Sequence, residues 1–216
     1  MGQFLHYVSY RRSHIFHLTV EHAKIVVIAV ILATIISVTL GVLVYRRERA
    51  AAVVLAVVGT FLTIPSFALF GLLIPIFGLG FNPTLVALTM YALLPITRNT
   101  VTGLRGVDEA VVESAQGMGM NRAQRLFRIE LPLAWPVILT GIRVSTIITL
   151  GIAAIGAVVN GPGLGEDIFA GLARIGSPTA IDLTVSGILG VVLLALLFDI
   201  FYLFFGKVTT SKGIRA

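Results

Sequence analysis

Between Ala50 and Thr97 the chain runs for 48 residues without a single Asp, Glu, Lys, Arg or His. A water-soluble domain does not hide so long an uncharged stretch, because soluble chains carry charge at about one residue in four. Lipid is the solvent it suits. A helix crosses the hydrocarbon core in ~20 residues, so the stretch is too long for one span. Gly78-Leu79-Gly80-Phe81-Asn82-Pro83 is a turn that divides it into spans near 50–77 and 83–98. Pro65 and Pro75 are expected to kink or interrupt the first, and Pro95 the second. In a bilayer such breaks persist only where the freed backbone groups face protein or a water-lined path. Thr63, Pro65 and Ser66, together with Asn160 further on, are therefore candidates for lining a translocation pathway. The plain alternative is that proline is commoner in membrane helices than in soluble ones.

Three more apolar segments have spanning length: 25–45, closed by Arg46-Arg47-Glu48-Arg49; 133–159, interrupted by Arg143; and 183–205, ending at Gly206-Lys207. Residues 1–22 alternate aromatic, apolar and cationic side chains, which suits a helix lying in the membrane interface. Glu166 to Ile175 is too short to cross and is expected to be interfacial or re-entrant. The expected architecture is a single all-α integral membrane domain over 1–216, with about five transmembrane helices. Composition agrees, with 57% hydrophobic and 12% charged residues. There is no cysteine, hence no disulfide, thiolate metal site or thiol nucleophile. The net charge of +6 could suggest nucleic acid, but basic loops flanking membrane spans explain it, and no nucleic-acid partner is expected. His14, His17 and His22 could be read as a metal site; with Glu21 the one acid nearby, no metal is expected.

One internal segment, Asp108 to Pro132, concentrates polarity: four acids, three arginines, Gln116, Asn121 and Gln124. Within it, the small Ser114 and Ala115 let a helix approach another surface closely. Glu113 offers a carboxylate that a partner's arginine can grip in bidentate fashion. Gly119 can take a positive φ and divide the segment into two arms. Leu126, Phe127 and Ile129 form an apolar anchor of the kind that dominates interface energies. Leu131-Pro132 should stop the second arm, because a residue preceding proline is pushed out of the α region.

The spacing Glu113-Ser114-Ala115, three residues, Gly119, nine residues, Ile129, one residue, Leu131-Pro132 resembles the EAA loop of ABC-importer permeases, with Ser114 alone departing from the pattern. The resemblance implies a type I ABC-importer permease fold whose cytoplasmic coupling helices sit in grooves of an ATPase. Thr63-Ile64-Pro65-Ser66, Leu93 to Thr100, and Asn160-Gly161-Pro162-Gly163-Leu164-Gly165 further resemble the osmoprotectant permeases for glycine betaine, carnitine and choline. That implies an alternating-access pathway between two permease subunits, the second a paralogue rather than an identical copy. It also implies a cytoplasmic ATPase dimer and an extracytoplasmic substrate-binding protein. The chain has no phosphate-binding loop of the form G-x-x-x-x-G-K-[ST]; Gly206-Lys207-Val208 lacks both the upstream glycine and the hydroxyl. ATP and Mg are accordingly expected on the partner, with no cofactor on this chain and no enzymatic activity of its own.

Lys and Arg set the orientation. With the amino terminus outside and five crossings, eleven fall on the cytoplasmic side (among them Lys212 and Arg215) against four outside, with Arg143 set aside as intramembrane. This places the carboxyl terminus and the polar loop in the cytoplasm of a bacterial or archaeal cell. Arg11 and Arg12 count against it. Arg143 and Asp199 lie at similar depth from the same side, and opposite charges there are expected to pair, the plain rival being that Arg143 snorkels to the headgroups. The rival readings are an importer permease for an amino acid such as methionine and, more distantly, a self-contained channel or membrane enzyme.

Overall fold

The computed structural model describes residues 2–210, and for Gly2 and Gln3 the backbone alone; Lys212 and Arg215 lie outside the described residues. Among these residues the chain is helical and without strands. Helix α1 covers Gly2–Val44, α2 Glu48–Thr63, α3 Ser66–Phe77 and α4 Phe81–Arg105. Then come α5 (Glu109–Gly117) and α6 (Arg122–Arg125), which a wide π turn (Leu126–Glu130) joins to α7 (Leu131–Ile155). A 3-10 turn (Gly156–Val159), α8 (Gly165–Leu172) and α9 (Ala180–Thr209) complete the order.

An interfacial helix over 1–22 set apart from a span at 25–45 is not what forms. One helix of 43 residues runs through both, about 64 Å at 1.5 Å per residue. Nothing in its sequence breaks it, since Gly and Pro are absent from 3–40. A continuous stripe at helical spacing, Leu18, His22, Ile25, Val26, Ala29 and Ala33, is buried along its length.

The expected span at 50–77 is two helices, α2 and α3, meeting at 97°. Ile64, held extended by the following Pro65, makes the corner with φ −75° and ψ 125°. Pro75 sits inside α3, which ends two residues later at Phe77.

Pro95 does not interrupt α4, which extends beyond the expected 83–98 at both ends. Its carbonyls near the proline are met from neighbouring helices: Ser145 Oγ donates to Ala92 O at 2.9 Å and Ser37 Oγ to Leu93 O at 3.1 Å. These hydroxyls support the turn ahead of the proline, whose missing N–H frees the carbonyl of Tyr91. Helix α4 is the buried centre of the bundle. A methyl group on Gly141 of α7 would lie 2.8 Å from Pro95 O, and one on Gly103 of α4 would lie 3.0 Å from Ala134 O. Two backbones in contact through glycine are the small-residue packing that replaces the hydrophobic effect in lipid.

By length and composition, α1, the run from α6 through α7, and α9 can each cross a membrane, and the bent α2–α3 pair makes a fourth candidate. Helix α4 reaches 25 residues, about 37 Å. It carries polar side chains (Thr84, Thr97, Thr100) that are buried against protein instead of facing lipid.

The predicted stop at Leu131-Pro132 is absent. Leu131 is itself α-helical, with φ −64° and ψ −46°, and its N–H reaches back five residues to Leu126 O. The wider π turn makes room for a proline ring that would press on a carbonyl in a regular α turn. The second arm thus flows without interruption into the membrane helix.

Candidate coupling site

The polar loop folds into two short helical arms joined at Gly119. Asp108 caps the first, its Oδ1 accepting from Ala110 N at 2.9 Å. The arm closes with Met120 N donating to Ala115 O and Gly119 N to Gln116 O, around a glycine at φ +82°. This six-to-one, five-to-two pair is a Schellman ending, which needs a left-handed residue where Gly119 stands. The second arm opens with a capping box: Gln124 N donates to Asn121 Oδ1 and Asn121 N to Gln124 Oε1, both at 2.9 Å. Its Asn-x-x-Gln signature is present in the sequence, a cue to the cap beyond the polarity of the two residues.

The residues expected to face a partner divide in two. Glu113, Ser114, Phe127 and Pro132 are exposed, and Phe127 shows 68% of its surface, with Met118 at 71% beside the turn. Ala115, at 1%, is turned inward and is unavailable to another protein. Leu126 and Leu131 pack on the bundle core, and Ile129 is half-buried. The expected apolar anchor of Leu126, Phe127 and Ile129 is therefore presented outward by Phe127.

The base of the arms is tied to the bundle by a cluster the sequence did not signal. Glu130, 2% exposed, accepts from Tyr45 Oη at 2.6 Å and from Arg46 Nη2 at 2.9 Å. Arg105 Nε donates to Tyr45 O at 2.6 Å. The ends of α1 and α4 and the π turn leading to α7 are thus joined at one point. Tyr45 and Glu130 stand 85 positions apart, and no local pattern links them.

The pathway candidates fall in two groups. Thr63 and Pro65 are exposed and Ser66 half-buried at the α2–α3 corner, where Tyr91 Oη donates to Ile64 O at 2.7 Å. Asn160 lies elsewhere, exposed and left-handed (φ 58°), in a turn tied to the start of α4 by Gly80 N donating to Val159 O. Along α4, Tyr91 and Thr84 are seven residues or ~10 Å apart. Arg143 and Asp199 do meet: Nε donates to Oδ1 at 2.7 Å and Nη2 to Oδ2 at 2.8 Å. Among the described residues no three metal-ligating side chains converge. His14 faces Asp167, and His22 is held by backbone groups.

Similarity to known proteins fits this geometry. Residues 15–210 match the family model described as binding-protein-dependent transport system inner membrane component. The chain is 39% identical over 199 residues to the Bacillus subtilis choline transport system permease protein OpuBB, covering 92% of this chain and 90% of that one. It is 37% identical to the Bacillus subtilis glycine betaine/carnitine/choline transport system permease protein OpuCB over 100% of this chain and 97% of the relative. Identity to the Salmonella typhimurium osmoprotectant import permease protein OsmW is 40%, covering 98% and 99%. In structure it resembles a chain of the inward-facing MetNI methionine ABC transporter, with TM-score 0.80 at 21% identity over 91% of this chain and 96% of that one; at that identity the likeness is one of fold. An all-helical bundle with a two-armed polar loop, matched over nearly its whole length, belongs to the family of binding-protein-dependent transport system inner membrane components.

Proposed function

We propose that this chain is a permease subunit of an ATP-driven importer for quaternary ammonium osmoprotectants such as glycine betaine, carnitine or choline. The observation that carries the reading is the pair of capped arms between α4 and α7, presenting Phe127 and Glu113 outward while Glu130 fixes their base to the bundle. A cytoplasmic ATPase dimer binds ATP and Mg and seats the arms of this subunit and of a second, paralogous permease. Closure of the ATPase moves the arms as rigid bodies, and the bent and packed helices reorient around the pathway. An extracytoplasmic binding protein delivers the cargo. The amino terminus lies outside and the carboxyl terminus in the cytoplasm of a bacterial or archaeal plasma membrane.

The cargo rests on full-length relatives at 37–40% identity whose names specify choline, glycine betaine, carnitine or osmoprotectant. The likeness to the methionine transporter is in fold alone. Arg143 does not fit a cation site, and it is already engaged by Asp199 in a pair whose role is structural. The pathway is proposed to pass the α2–α3 corner at Thr63, Pro65 and Ser66 and to open near Asn160.

The test is uptake by the intact complex in vesicles with ATP inside, comparing labelled glycine betaine, choline, carnitine and methionine. ATP-dependent accumulation of one or more of the first three, lost with Phe127→Ser, is the expected result. Accumulation of methionine alone would overturn the cargo, and uptake without ATP would overturn the mechanism.

A further inference from the structure

Helix α1, which Ser37 also bonds to Leu93 O midway, is fastened at opposite ends of the bundle. At its carboxyl end Tyr45 holds Glu130 through its hydroxyl and Arg105 through its carbonyl, at the base of the arms. The other fastening is His22, which is fully buried. Its Nδ1 accepts from Leu164 N at 3.2 Å, which leaves Nε2 protonated to donate to Leu150 O at 3.0 Å. One imidazole therefore joins α1, α7 and the Asn160–Gly165 turn. The ring lies so close to Gly163 (φ +122°) that a Cβ there would come within 2.6 Å of Nδ1. Further out, Arg11 and His14 both reach the buried Asp167 of α8, at 3.3 and 3.2 Å.

Between His22 and Tyr45 the helix is unbroken save for its last residue, and no proline interrupts it. Twenty-three residues at 1.5 Å each is about 34 Å, close to the ~30 Å hydrocarbon core. A stiff rod of that length, bonded at one end to the base of the arms and at the other to the outer turn, cannot move at one end alone.

We propose that α1 is a strut that carries arm movement across the membrane to the Gly156–Gly165 turn, with Tyr45 and His22 as its positioning residues. The inference rests on the reading of the arms as the ATPase contact. It adds a route by which nucleotide state reaches the opposite face. Helix α7 leads from the arms to the same turn, so α1 works beside it; the two fastenings of α1 act in series, so breaking either one weakens its share and breaking both does no more.

The chain has no cysteine, so a single reporter can be introduced without background from this subunit. Val158, exposed in the 3-10 turn, is suited to Val158→Cys. The experiment measures maleimide labelling of this variant in the complete complex in nanodiscs, with and without ATP and vanadate. The expected result is a labelling rate that changes with nucleotide in the parent. In His22→Leu and in Tyr45→Phe that change falls by about fivefold or more, the factor that one buried hydrogen bond represents, while His22→Leu still hydrolyses ATP. The double variant should match the stronger single, whereas two independent destabilisations this far apart would add. Persistence of the nucleotide-dependent change in either single, or additive loss in the double, overturns the strut. So does a parent whose labelling ignores nucleotide, because no signal then arrives. If His22→Leu is not recovered from membranes, the near-isosteric Tyr45→Phe decides alone. A particle lacking an ATPase refutes the reading of the arms instead.

Discussion

Replacing Glu130 by glutamine preserves shape and removes charge at the point where three elements meet. Two contacts are affected. The bond from Tyr45 Oη, 2.6 Å long and buried, is charge-assisted; such bonds contribute about 1.5–3 kcal/mol against about 0.5–1.5 for neutral ones, so the exchange loses roughly 1–1.5 kcal/mol. The Arg46 ion pair joins a buried carboxylate to a guanidinium side chain that is 40% exposed. Solvent screening reduces it to under about 1 kcal/mol. Together Glu130→Gln should destabilise the chain by about 2 kcal/mol, or roughly 4–8 °C in Tm for a protein of this size. Glu113→Gln, on the exposed face of the first arm, should change stability by less than about 0.5 kcal/mol. The assay is thermal unfolding of the detergent-purified chain freed of its partners, at one fixed scan rate, since membrane proteins seldom unfold reversibly. Equal melting temperatures for Glu130→Gln and Glu113→Gln would refute the idea that Glu130 fastens the arms.

Three further expectations follow from individual contacts. Arg143→Gln and Asp199→Asn should each lower the amount of protein in the membrane, and the double substitution should recover part of it; a double loss equal to the two singles summed would deny the pair a stabilising role. Gly141→Val should destabilise by about 1–3 kcal/mol through overpacking against Pro95 O and Asn99, whereas Gly151→Ala on the same helix, with open space around it, should not lower the melting temperature. Ser37→Ala with Ser145→Ala should make α4 exchange its amide hydrogens faster around Leu93, as the carbonyls flanking Pro95 lose their donors; unchanged exchange there would deny those hydroxyls a supporting role.

What was legible in the sequence follows from how locally each feature is encoded. The two-armed loop could be anticipated because Gly119 and the apolar and charged residues around it sit within a few turns of one another. The corner at Pro65 is likewise local, since the proline constrains the residue before it. Pro95 and Pro132 look the same in sequence, yet neither breaks its helix: Ser37 and Ser145 support the first from 50 or more positions away, and a π turn absorbs the second. The continuity of α1 through residue 22 was obscured by its mixed polarity. Arg11, His14 and His22 look interfacial until Asp167 and the Leu164 amide are brought against them by the fold. Glu130 counted as one more acid in a polar loop until Tyr45 arrived from the end of α1. Of the arm residues, exposure alone separates Phe127, turned outward, from Leu126, turned in.

The account stands on the arms being the surface that another protein drives. A photo-reactive phenylalanine analogue in place of Phe127, illuminated in the native membrane, measures this directly, with the same analogue at Leu79 in the opposite turn as the comparison. The account predicts that position 127 crosslinks to a nucleotide-hydrolysing subunit and that the yield changes with ATP and vanadate, while position 79 never captures that subunit. Capture of the hydrolysing subunit from position 79, or its absence from position 127, would contradict it.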